Sequence, residues 1–183
     1  MIKTKEEKMR IKKVVGLSLL LTLFLGCSSI QHSKSPAMQC NVKWVILPID
    51  NFTESPHAGQ STEKLTENVL RSVGVKSIES FPAALADSLD EFGATPKKYT
   101  KALAWAREQG AIYGVTGSVT EWHYKSGSDG EPAVGIALQI IDIESGHSIW
   151  SSAGAKTGWE RDALSGTAQK LIRIILNSLS LSC

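Results

Sequence analysis

Hydrophobic positions along this 183-residue chain follow two alternating periods. Residues 43–49 (KWVILPI) form a compact apolar run, the pattern of a strand buried on both faces. Pro48 and the Asp50-Asn51 pair end it. Residues 61–73 then switch to the helical period, with Leu65, Val69, Leu70 and Val73 on one face and Gly74 as the stop. Residues 75–81 (VKSIESF) predict a short strand, and 84–89 a short helical turn. Thr95-Pro96 is a good helix start, Thr as cap and Pro at the first helical position. Tyr99, Ala102, Leu103 and Ala106 give that helix its apolar face, and Gly110 ends it.

Three strands are predicted next, over 111–124, 132–143 and 147–157. In the middle one, Val134, Ile136, Leu138 and Ile140 alternate with Gly135, Ala137, Gln139 and Ile141. A Gly-rich loop, KSGSDGE, and a tight Glu-Ser-Gly turn join the three. Leu164, Ala168, Leu171, Ile172, Ile175 and Leu179 mark a final amphipathic helix. The order βαβαβββα predicts an α/β domain: a mixed sheet with packed helices, over residues 42–183.

The first 26 residues follow neither period. Six basic residues (Lys3, Lys5, Lys8, Arg10, Lys12, Lys13) precede an apolar run from Val14 to Gly26, broken only by Ser18 and Thr22. The run is short for a membrane span, which takes about 20 apolar residues, and fits a secretion signal. It ends in Leu25-Gly26-Cys27, similar to a bacterial lipobox, in which cleavage falls before the cysteine and the cysteine carries lipid. Residues 1–26 are thus expected to be a signal peptide, and Cys27 a lipidated N-terminus. Residues 28–41 (SSIQHSKSPAMQCN) are polar and without period, and are expected to act as a tether. Ser28 lacks the acidic character that retains lipoproteins at the inner membrane, so outer-membrane attachment on the periplasmic face is expected.

The address changes the charge. The leader holds six of the 20 basic and two of the 18 acidic residues, leaving 14 and 16, a net charge of −2. Nothing in that balance points to a nucleic-acid binder, which needs a basic face. It also gives Cys40 and Cys183 an oxidising compartment and two ends of one domain, which makes a disulfide between them a fair expectation.

Catalytic signatures are missing. The four histidines are scattered, and HExxH, CxxC and G-x-S-x-G do not occur. Gly154-Ala-Lys-Thr157 lacks the spacing of a phosphate loop. Asp142 with Glu144, and Asp129 with Glu131, sit in turns, where such residues serve backbone geometry. No enzyme, metal or cofactor is expected. Of five tryptophans, Trp44, Trp105 and Trp150 fall on core faces. Trp159, in the polar junction TGWERD, is either a staple for the last helix or an exposed anchor.

The segments WVILPIDNFTESPHAGQ, EWHYKSGSDGEP and GWERDALSG, with the leader, resemble the PelC family, lipoproteins of the Pel exopolysaccharide export system of biofilm formers. The resemblance implies a fold similar to the N-terminal domain of TolB and to CsgG. It implies a twelve-membered ring that passes a cationic polysaccharide to the outer-membrane porin PelB. It further implies an acidic residue at the ring opening, carried here by Asp129 or Glu131. On another surface it implies an aromatic membrane contact, Trp159, with Arg161 beside it to meet lipid phosphates. The competing expectation is a monomeric lipoprotein that activates a periplasmic cell-wall synthase.

Overall fold

The computed structural model describes residues 28–86, 96–127 and 130–183. Its elements in chain order are β1 (Ser28–His32), β2 (Ala37–Gln39), β3 (Lys43–Asn51), α1 (Ala58–Ser72), β4 (Ser77–Ser80) and α2 (Ala83–Ala86). Then come α3 (Pro96–Glu108), β5 (Tyr113–Tyr124), β6 (Pro132–Asp142), β7 (Ser148–Thr157), α4 (Leu164–Leu176) and β8 (Ser180–Ser182). Six strands form one sheet in the order β1-β7-β6-β5-β3-β4. β3 runs parallel to β4 and β5, and the other neighbours are antiparallel. The fold is mixed α/β.

The sheet is buried unequally on its two faces. α1 and α4 cover one, over Trp44, Ile46, Val115, Leu138, Ile140 and Trp150. The apolar faces of these helices close that core with Val69, Leu70, Leu171, Ile172 and Ile175. On the other face, among the described residues, α3 packs a smaller cluster of Val45, Leu47, Phe81, Ala102, Ala106 and Ile141. β3 lies between the two, so Trp44 through Ile49 are all buried, which its continuous apolar run requires. Trp105 is half-buried, edge-on to Phe81 with ring centroids 5.5 Å apart.

The expected tether is a correction. Residues 28–32 form an edge strand, antiparallel to β7 from Ser28↔Lys156 to His32↔Ser152. Residues 37–39 pair in parallel with β8, beyond the end of the last helix. Backbone hydrogen bonds carry both pairings and need no apolar period. Ile30 packs on the main core, and Ser33 Oγ accepts the Ser151 N–H at 2.9 Å. The polar remainder of the segment suits an edge strand with one open side. A Cys40–Cys183 disulfide, with Cα atoms 5.2 Å apart, links the two short strands. Gly74 lies under it: its φ of +111° and a Cβ position 2.9 Å from Cys183 Sγ leave room for no side chain.

Candidate functional site

One end of the sheet gathers several segments of interest. There β5 ends at Tyr124 opposite Pro132, where β6 begins, and Ala133 pairs with Thr157, where β7 ends. β1 begins at the same level, opposite Lys156. The β5–β6 hairpin and the β7–α4 junction therefore stand side by side, although the resemblance gives their residues to different surfaces. Two of the expected positions, Cys27 and Asp129, lie outside the described residues.

The junction is built by short contacts. The Gly158 N–H donates to the Pro132 carbonyl at 2.8 Å. A Cβ on Gly158 would lie 2.7 Å from Pro132 Cγ, so glycine is required for this close approach. The next turn closes on itself. The Asp162 N–H donates to the Trp159 carbonyl at 2.8 Å, and the Trp159 N–H donates to Asp162 Oδ2 at 3.2 Å. Lys170 Nζ reaches the same carboxylate at 3.2 Å. The Trp159 N–H and then Lys170 hold the Asp162 carboxyl below its ordinary range. Tyr124 Oη accepts the Leu164 N–H at 3.1 Å, satisfying one of the orphan donors of α4.

This scaffold presents Trp159 to solvent with 65% of its surface exposed. That exposure excludes the buried staple. The indole borders a pocket of about 330 Å³ lined by Lys125, Glu131, Lys156, Asp162 and Lys170. A second depression continues along α4 over Lys156, Lys170, Arg173 and the exposed Ile174. Two of the cations are matched, Lys125 with Glu131 at 3.7 Å and Lys170 with Asp162. Lys156, Arg161 and Arg173 have no ion-pair partner among the described residues, and against the exposed Glu160 they still leave the surface around the indole a positive excess. Glu131 belongs to this surface, with its charge opposed by Lys125. Arg161 is exposed beside Trp159, as its place in the motif suggests.

Sequence reasoning did not find Lys156, Lys170 and Arg173. They come from β7 and from the outer face of α4, and no motif joins them. Among the described residues no group of three or more His, Cys, Asp or Glu side chains stands ready for a metal. No helix among them is long and apolar enough to cross a membrane.

Neither protein-family models nor curated proteins give a match to this chain. Solved structures do. The fold is shared with lipoprotein GNA1162 from Neisseria meningitidis, at 16% identity and a TM-score of 0.52, over 78% of this chain and 96% of that one. That likeness defines a class of small α/β domains. The PelC dodecamer from Paraburkholderia phytofirmans is far more similar. It is 36% identical with a TM-score of 0.73, covering 86% of this chain and all of that one. A point variant of that dodecamer in another crystal form matches equally, over 85% of this chain. The chain belongs to the PelC family.

Proposed function

We propose that this protein is a non-enzymatic lipoprotein of the outer membrane that assembles into a periplasmic ring. It funnels the cationic Pel polysaccharide to a PelB-type export porin. The observation that carries this reading is the 36% identity to a PelC dodecamer, extending over the whole of that chain. Identical subunits related by rotation close a ring without an exposed end. A carboxylate repeated around its opening, Asp129 by family resemblance with Glu131 beside it in sequence, focuses negative potential on a polymer that carries ammonium groups. The attraction at each site stays weak, so the polymer moves on.

The Trp159 surface supports a membrane-facing end. Indole favours the lipid–water interface, and Lys156, Arg161 and Arg173 suit anionic headgroups. The lipid on Cys27 would enter beside it, because Ser28 is already in the sheet opposite Lys156. One acyl chain holds a protein only marginally, so several chains, or lipid plus a basic patch, are needed for stable anchoring.

The molar mass of full-length protein in detergent tests the reading. A closed oligomer of about twelve chains is expected; a monomer at high concentration would favour the cell-wall synthase activator. Cys27→Ala is expected to abolish metabolic lipid labelling, and labelling that survived it would remove the anchor.

A further inference from the structure

Among the described residues, the second face of the sheet is only partly covered. Beyond α3, a row of paired positions crosses it from Asp50 through Ser118, Ala137 and Ala153 to Gln31. Thr116, Gln139 and Ser151 form the row beside it. Two depressions of about 270 Å³ each lie on these rows and share Ala137. Together they make a shallow trough across five strands, about 19 Å at ordinary strand spacing. Its floor is polar at the Asp50 end and made of small glycine and alanine residues at the other, and Gln139 and Ala153 are exposed.

The α3 end of the trough carries distinctive chemistry. Asp50 lines it half-buried; its Oδ1 is closed off from solvent with no hydrogen-bond partner among the described residues, so the rest of the carboxylate is what faces the trough. Such an atom normally has a partner. Ser118 supplies a hydroxyl nearby and Gln139 an amide, while the Thr116 hydroxyl already donates to the Pro48 carbonyl at 2.7 Å and can only accept. Phe52, 69% exposed, and Tyr99 on α3 stand at the rim. A carboxylate disfavours phosphate and attracts an ammonium. Hydroxyl and amide groups match sugar hydroxyls, while aromatic faces match the C–H faces of a pyranose. Openness suits one stretch of a long chain rather than an enclosed small molecule.

We infer that this trough is a binding track for a polysaccharide containing free amino sugars, with the Asp50 carboxylate receiving a protonated amine. The inference rests on the polymer-export reading and adds to it a site on each subunit, apart from the ring opening. Burial raises the Asp50 carboxyl above its ordinary range, and the charge of Lys98 opposes that rise only in part. A desolvated carboxylate gains from an added cation.

Full-length protein in detergent is titrated with a glucosamine hexamer and with its fully N-acetylated counterpart. The parent is expected to prefer the free-amine hexamer. Asp50→Asn weakens that binding about tenfold, the loss of one charge-assisted contact, and leaves the N-acetylated hexamer unchanged. Gln139→Ala, an exposed change that leaves the core alone, weakens both. Ala153→Trp blocks the floor and abolishes binding with the oligomer intact. Parent-like binding in all three variants, with loss only in Asp129→Asn, overturns the trough and keeps the polymer reading. No binding by the parent overturns both. Disassembly of the oligomer by Ala153→Trp would mean that another copy covers this face, which also overturns the trough.

Discussion

The two faces of this sheet differ in what they bury. Under α1 and α4, Trp44, Trp150, Leu138 and Ile140 are sealed from water, and the side chains are large. Across the opposite face, past α3, stand Ala137, Ala153, Ser118 and Gln139. The first face has what stability needs, apolar area removed from solvent at about 25 cal/mol per Å². The second has little to bury and many groups able to bind. The contrast teaches that a domain of this size can anchor itself on one face and, among the described residues, leave part of the other open.

The contrast breaks most severely at Trp150. Truncation to alanine opens a cavity in the main core and is expected to cost about 3–5 kcal/mol. Chemical denaturation of the variant checks it. Ala153 is also on β7 but opens to the other face, and a change there to Ser is expected to move stability by about 0.5 kcal/mol or less. Equal losses at the two positions would mean the second face is covered.

The disulfide comes next. It closes a span of 143 residues and binds the N-terminal strands to the C-terminus. Cys183→Ser is expected to lower stability by about 2–4 kcal/mol. Unfolding with and without reductant should converge in the variant and differ in the parent. Such a loss would show that the start of the chain is part of the fold rather than a free tether.

Those first residues also show where sequence stops being legible. β3 and α4 announce themselves by period, because burial on both faces or along one stripe selects apolar residues at fixed spacing. β1 does not. Ser28–His32 has one apolar residue, and its pairing is made by backbone groups that every sequence carries. β8 gives no signal for the same reason: Leu179 continues the helical stripe, and Ser180–Ser182 pair with β2 through backbone groups. The Cys40–Cys183 bond is a fair expectation from an oxidising compartment together with places at the two ends of the domain. At the candidate site Trp159 and Arg161 stood out in a motif. Lys156, Lys170 and Arg173 did not, since only the docking of α4 on β7 joins them.

Trp159 marks a third kind of surface, outside the contrast between faces. With 65% of its area exposed it contributes little to the fold. Trp159→Ala is expected to change stability by about 0.5 kcal/mol or less while reducing binding of the lipidated protein to anionic vesicles. A large fall in thermal midpoint would return the indole to a packing role. Asp162→Asn should act in the same direction, because that carboxylate holds both the Trp159 N–H and Lys170.

The smallest effect is the most informative about the two faces. Glu67, on α1, is partly desolvated, yet Arg71 at 2.9 Å, Ser80 at 2.9 Å and the charge of Lys64 outweigh that and lower its carboxyl below the ordinary range. Its unfolded form binds protons more readily, so it stabilises the fold above the unfolded pKa. That contribution is lost as pH falls through the lower folded value. Asp50 has the opposite sign. Its carboxyl is raised, chiefly by burial, so ionisation opposes folding and the penalty fades as pH falls through the raised folded value. Glu67→Gln is therefore expected to lower the thermal midpoint at neutral pH and to reduce its fall in acid. Asp50→Asn should leave the neutral midpoint unchanged or raise it slightly. Melting curves from neutral to acid pH measure both. A clear destabilisation by Asp50→Asn would give that carboxylate a structural task. Stability kept while amino-sugar binding is lost would identify a charge that the fold bears at its own cost and that its ligand alone requires.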